Sequence, residues 1–322
     1  MKWQVLAGVR FFLAWVVMCS HLVRFVSPDD YLLKFSKFGS LSAVIGFLII
    51  SGYSIAHSIT GRPEGFYKRR FYRIYPLYFC SILFSLSPFL VARSTTVHVY
   101  FLPDWQTLLG NLFFLQGFAV DRLSSNTIVW TLSVEVLCYL LAPIFIKTRQ
   151  RILLVFVLIS AFLYFSYSHA YLEYRFPYFT ELKYGLDFLL LVWAWLLGFL
   201  LFISHQRLLK FLLIALGLIL IKFSLNNGSL YLLTYALCIL PLNYLPNIKL
   251  SQVLLKSLAY LGDISYPLYL FHLPCFIFLS GVLAINNSIV LVGGSLFISI
   301  ILYHAIDIYS QNQRAKRADS KA

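Results

Sequence analysis

The chain has 322 residues, of which 60% are hydrophobic and 12% charged; its mean hydropathy is +0.81 and its formal net charge +14. Soluble globular chains are about 45–50% apolar and about 25% charged, so a water-soluble fold of this size could not hide so much apolar surface; lipid is the solvent that this composition requires. The basic residues lie in short clusters between apolar runs, such as YKRRFYR (67–73) and KTRQR (147–151), a pattern that orients a membrane protein and argues against a nucleic-acid partner.

Apolar runs of spanning or near-spanning length fall at 5–25, 39–60, 74–92, 127–146, 152–168, 186–204, 209–225, 229–246, 261–284 and 288–309. A spanning helix needs about 17–25 residues, so the expectation is an all-α, polytopic bundle of about ten transmembrane helices. With a cytoplasmic N-terminus, 18 of the 26 Lys and Arg fall inside and eight outside, which places both termini in the cytoplasm. Residues 1–310 read as a single membrane domain and 311–322 as a short basic cytoplasmic tail. Lys2 and the first apolar run resemble a signal peptide, but Arg10 interrupts the run and no A-x-A-like site follows. The run therefore reads as an uncleaved first span.

The first run carries Arg10 and His21, eleven steps apart. At about 100° and 1.5 Å per residue, both point the same way and stand about 16 Å apart along the axis. They suit the two ends of one channel, with Arg10 nearer the cytoplasm; otherwise Arg10 snorkels to headgroups and His21 is interfacial. In the second run, GFLIISGYS (46–54), Ser51 and Gly52 are small groups for close helix approach. Without a G-x-S-x-G elbow, Ser51 reads as a packing or ligand hydrogen-bonding group rather than a nucleophile.

FYKRRFYRIYP (66–76) leads into the third run with Lys68, Arg69, Arg70 and Arg73. Several cations at a helix N-terminus suit phosphates, of a lipid headgroup or of a phosphorylated cofactor. Residues 105–118, between Asp104 and Asp121, are apolar but too short to span, and read as a re-entrant or interfacial outer segment. The fourth run, NTIVWTLSVEVLCYLLAP (126–143), puts Thr131, Glu135 and Tyr139 on one stripe, four residues apart. Glu135 lies about 12 Å below the outer start of that helix. It either holds an imidazole or forms a buried ion pair, with Arg10 as the candidate partner. Residues 169–185 are rich in tyrosine, an interfacial belt or a sugar-stacking surface. In the ninth run, LGDISYPLYLFHLP (261–274), Pro267 is expected to break the helix and His272 to sit near mid-membrane, as a core residue or in a secondary role. Cys19, Cys80, Cys138, Cys238 and Cys275 are isolated in apolar segments and read as packing residues, with neither a disulfide framework nor a metal site.

Taken in order, Arg10 and His21 as R-x10-H, FLIISGY (47–53), RRFYRIYPLY (69–78), WTLSVEVLCY (130–139) and LGDISYPLYLFH (261–272) make the chain resemble the acyltransferase 3 family. These motifs span nearly the whole sequence. The resemblance implies a multi-pass enzyme of the inner (plasma) membrane with no permanently bound cofactor. Its co-substrate would be a cytoplasmic acyl-CoA, usually acetyl-CoA, and its acceptor a hydroxyl of an outer glycan such as O-antigen, exopolysaccharide or peptidoglycan. It implies His21 as the catalytic histidine, Arg10 as its basic partner, and Glu135 as the family carboxylate. It also implies that Arg69, Arg70 and Arg73, with Lys68 beside them, meet the CoA phosphates. Ser51, Tyr53, Trp130, Thr131, Tyr139 and His272 are secondary candidates. Two features depart from the family: the expectation here is of a membrane domain without the extracytoplasmic hydrolase-like domain that many relatives carry, and YHAIDIY (303–309) stands in place of the usual Glu-x-Pro. The rival classes are a lipid-linked glycan flippase or proton-coupled transporter, for which buried Arg, His and Glu also serve, and a sensor or scaffold.

Overall fold

The computed structural model describes residues 2–174, 176–223, 229–244 and 250–307. The tail 311–322, Arg175 and Lys249 lie outside them. The described chain is an all-α bundle: α1 (Lys2–His21), α2 (Ser40–Gly61), α3 (Phe66–Phe84), α4 (Ser87–Ala92), α5 (Trp105–Leu112), α6 (Trp130–Phe145), α7 (Gln150–Tyr174), α8 (Leu186–Ile203), α9 (Arg207–Lys222), α10 (Tyr231–Asn243), α11 (Gln252–Gly281) and α12 (Ser288–Leu302). A small antiparallel hairpin, β1 (Thr96–Val97) and β2 (Tyr100–Phe101), is the one sheet among the described residues, beside an isolated bridge between Gln116 and Val120.

Eight segments of the described chain are helical, long and apolar enough to cross a membrane. The helices α9 and α10, of 16 and 13 residues, occupy the other two expected spans and are shorter. Two boundaries move. The third span starts at Phe66, so the basic cluster is itself helical, and it runs through α4 to Ala92. The ninth starts at Gln252 and passes Pro267 and Pro274 as one 30-residue helix. The expected break at Pro267 does not occur. Proline removes one backbone donor, and a long helix packed on neighbours tolerates that when the freed carbonyl finds another partner. At Pro274 the freed carbonyl, that of Leu270, accepts from Asn126 Nδ2 at 3.4 Å.

The ends of the eight long segments and of α9 and α10 alternate between the two sides of the bundle. On one side of the bundle, Lys2 donates to the Tyr53 hydroxyl and to the Leu242 carbonyl, tying the start of α1 to the second half of α2 and the end of α10. On the opposite side, Leu230 N donates to Lys37 O, and Lys183 pairs with Asp121 at 2.6 Å. Tyr260 of α11 meets His304 near the end of the last span, on the same side as Lys2.

Burial sorts the helices. Along α8, Leu190–Leu201 is buried throughout. The perimeter helices α7 and α12 expose apolar rows, among them Val155, Phe162, Val290 and Phe297. Helices hydrophobic on their outer surface are stable where the surroundings are acyl chain. Helices α2 and α8 touch backbone to backbone. A Cβ on Gly52 would stand 1.9 Å from the Trp195 carbonyl oxygen, and one on Gly198 1.9 Å from that of Ile49.

The segment 105–118 does not span. Asp104 caps α5 by accepting from Thr107 N at 2.6 Å, and the eight-residue helix then turns back. Gln116, fully buried, donates to the Tyr78 hydroxyl (3.1 Å) and to Val129 O (3.0 Å). Arg122 pairs with the buried Asp187 at 3.0 Å. The outer segment is thereby folded onto the top of α3, α6 and α8.

Candidate active site

A cavity of about 420 Å³ lies among α1, α2, α3, α6 and α11. Its charged lining starts with Arg10, whose Nη2 donates to Ser54 Oγ at 2.7 Å; Ser54 in turn donates to Ile50 O. From α3 come Arg70, which donates to Ser58 Oγ at 2.7 Å, and the exposed Arg73. Helical spacing sorts the basic cluster. Arg70 and Arg73, three apart, face the cavity. Arg69 turns back to the carbonyls of Arg62 and Glu64, and Lys68 is exposed. Of the four expected phosphate ligands, two line the cavity and two do not.

The stripe on α6 faces the same space: Thr131, Glu135 and Tyr139 all line it. Ser51 donates to Glu135 Oε1 at 2.6 Å, and the Tyr139 hydroxyl donates to the same oxygen. No ion pair links Glu135 with Arg10 among the described residues. The two share the cavity instead. Nor does Glu135 hold the His21 imidazole. Glu135 lies at the level of Ser51, too deep in the bundle to reach the outer end of α1.

His21 meets a second histidine. Helices α1 and α11 run parallel, packed closely where a Cβ on Gly262 would meet the Ala7 side chain at 2.3 Å. That packing brings His272 Nε2 to 3.2 Å from His21 Nδ1, with ring centroids 5.2 Å apart. His272 is fully buried and sits beside the His21 end of α1, with nine further residues of α11 beyond it. His21 is half-buried and lies outside the cavity lining. Between cavity and imidazoles stands Tyr269, a cavity residue whose ring centroid is 6.3 Å from that of His272. Its hydroxyl donates to Ile128 O (3.0 Å) and meets Thr131 Oγ1 (2.8 Å).

Two secondary candidates lie elsewhere. Tyr53 takes the Lys2 ammonium and packs edge-on against Phe202. Trp130 is buried beneath the Arg122 guanidinium, 5.7 Å from its ring. Five residues not singled out from the sequence join the site: Ser54, Ser58, Asp263, Tyr266 and Tyr269. The signal was present. Phe47, Ser51, Ser54 and Ser58 repeat at helical spacing on α2, as do Ser265, Tyr269 and His272 on α11. In the outer aromatic stretch, Tyr171 packs on Tyr178 and Tyr167 on Phe176.

A family profile described as an acyltransferase domain matches residues 4–304. The chain belongs to the acyltransferase 3 family. All five motifs of the sequence fall within the matched residues, so the cavity, the arginines and the histidine pair are built from the family's own domain. The acyltransferase 3 chain is also similar to the acyltransferase MdmB of Streptomyces mycarofaciens. The two are 29% identical over 164 residues, which cover 46% of this chain and 40% of that relative. The match thus spans well under two thirds of the relative's length. No solved structure matches the chain significantly. Membership in the acyltransferase 3 family and the apolar helices together make this a multi-pass membrane protein.

Proposed function

We propose that the protein transfers an acyl group, acetyl in the simplest case, from a cytoplasmic acyl-CoA to a hydroxyl of an extracytoplasmic glycan, working in the plasma (inner) membrane. The observation that supports this reading is the order of groups along one line through the bundle. Arg73 and Arg70 stand at the cytoplasmic start of α3; Arg10 and the Ser51–Glu135–Tyr139 group follow; Tyr269 and the His272–His21 pair come last. Guanidinium groups at a helix N-terminus bind phosphates strongly. The pantetheine arm is long and thin and suits the cavity above them. It carries the thioester outward to the imidazoles.

The chemistry balances with these groups alone. The acceptor oxygen attacks the thioester carbonyl carbon while His21 takes the hydroxyl proton as general base. The carbon–sulfur bond breaks, and the proton passes from His21 to the departing sulfur, giving the ester and free CoA thiol. Arg10, deep in the bundle, meets the donor along its inner half. This division of labour accounts for the eleven-residue spacing.

The test uses the full chain in lipid nanodiscs with radiolabelled acetyl-CoA. His21→Ala retains acetyl-CoA binding and releases no free thiol with a glycan acceptor present, whereas the wild type does. Normal turnover in that variant overturns the assignment. Movement of a lipid-linked glycan with no thiol release identifies a transporter instead. Mass analysis of surface polysaccharide from cells with and without the protein then identifies the acceptor, by the mass of one acyl group.

A further inference from the structure

The histidine pair carries more than proximity. His272 Nδ1 lies 3.0 Å from Leu268 O, and His21 Nδ1 lies 2.9 Å from Val17 O. A carbonyl oxygen only accepts, so each Nδ1 bears a proton. The third contact, His272 Nε2 to His21 Nδ1 at 3.2 Å, then has its donor on His21. A proton on His272 Nε2 would set two N–H groups against each other. His272 is therefore neutral with a bare Nε2, and the His21 Nδ1–H is shared between Val17 O and that nitrogen. His21 Nδ1 thus bears a proton, so in the neutral ring Nε2 carries the lone pair; that nitrogen has no hydrogen-bond partner among the described residues.

We infer that His272 is a positioning residue for His21: it holds the ring and the tautomer in which Nε2 is the base, and it accepts from Nδ1–H when Nε2 takes up a proton. The kinetic part of this inference rests on the acyl-transfer reading. Two features favour it over simple packing. The Val17 carbonyl belongs to the same helix and restrains only one direction of the ring, whereas His272 comes from α11 and is fully buried. Its own ring is fixed from behind by Leu268 O and from the side by Phe276, with centroids 5.9 Å apart. An immobile acceptor on the far nitrogen is what a catalytic imidazole needs, the post that a carboxylate holds in hydrolase triads. Here a neutral imidazole fills it. A second neutral ring avoids the cost of burying a further carboxylate that has no cation beside it.

The test has two arms, both on the full chain in nanodiscs. Long-range proton–nitrogen spectra of protein labelled with 15N-histidine report the tautomers, with His21 and His272 assigned from single substitutions. The expected wild-type spectrum has both rings neutral and protonated at Nδ1. His272→Ala shifts the His21 nitrogens, and His272→Gln, whose amide oxygen can take the place of Nε2, restores them in part. A His21 ring protonated at Nε2, or His21 signals unmoved in His272→Ala, overturns the inference. In the kinetic arm, His272→Ala lowers kcat for acetyl-CoA-dependent thiol release at least about tenfold with KM for acetyl-CoA within about twofold, and His272→Gln recovers part of the loss. Wild-type kcat in His272→Ala also overturns it. If the wild-type protein releases thiol from no acyl-CoA, the acyl-transfer reading falls and the spectra alone decide the positioning role.

Discussion

Ser51 Oγ donates to Glu135 Oε1 at 2.6 Å, joining α2 to α6 inside a cavity that also holds Arg10, Arg70 and Arg73. One carboxylate oxygen thus receives two hydroxyls, those of Ser51 and Tyr139, while three guanidinium groups line the same space. Glu135→Gln removes negative charge beside the proposed phosphate ligands and weakens the two hydroxyl contacts. It is expected to lower KM for acetyl-CoA about threefold and kcat about tenfold or more, since charge-assisted hydrogen bonds are worth about 1.5–3 kcal/mol. Ser51→Ala removes one of two donors and costs a few-fold in kcat alone. Steady-state thiol release on the two variants checks both outcomes; a rise in KM for Glu135→Gln contradicts the electrostatic account.

The basic cluster of α3 is divided by helical geometry, and the division is measurable. Arg70→Gln and Arg73→Gln remove cavity charges and are expected to raise KM for acetyl-CoA about tenfold each, about 1.4 kcal/mol. Arg69→Gln and Lys68→Gln should stay within about twofold, because those side chains face the Arg62–Glu64 turn and solvent. Titration calorimetry with acetyl-CoA at two salt concentrations supplies the check, with the salt dependence shrinking in the first two variants. Equal effects at all four positions would mean that the cluster acts only as a diffuse field.

Tyr269 closes the space between the cavity and the imidazoles through its hydroxyl, which engages Ile128 O and Thr131 Oγ1. Tyr269→Phe keeps the ring and loses both contacts, each worth about 1 kcal/mol. The ring then turns aside more readily. Acceptor-independent hydrolysis of acetyl-CoA is expected to rise several-fold, while binding of acetyl-CoA is unchanged. Assaying free thiol without glycan reads the effect directly, and an unchanged or lower rate counts against Tyr269 as the barrier.

The contact of Gly52 with the Trp195 carbonyl and of Gly198 with that of Ile49 leaves no room for a methyl group. Gly52→Ala or Gly198→Ala has to push α2 and α8 apart, a backbone displacement costing about 1–3 kcal/mol or more. Because Ser51 and Ser54 ride on α2, the same shift misplaces the partners of Glu135 and Arg10. A lower midpoint of thermal unfolding in detergent, with reduced acetyl-CoA binding, is the expected pair of results. Full stability in Gly52→Ala would show that the helices are free to part.

By itself the sequence determined the solvent of this protein, its helical class, the ten apolar segments and the alternation of their ends, because these follow from run length, hydropathy and the placement of Lys and Arg along the chain. The stripe Thr131–Glu135–Tyr139 was legible as well, since residues four apart on one helix share a face wherever that helix packs. What periodicity could not determine was the partner across the gap between helices. Arg10 and His21 point the same way along α1, yet one lines the cavity and the other meets His272, because α2, α3 and α6 surround the half that holds Arg10 while α11, parallel to α1 along its length, brings its own histidine to the His21 end. The fate of Glu135, held by Ser51 rather than by an imidazole or Arg10, was decided by the depth at which α2 meets α6. Pro267 and Pro274 remain within one helix because neighbouring helices support it, an influence absent from local sequence. Hydrogen bonds between helices depend on axial offset and rotation, and those are fixed only when the whole bundle packs.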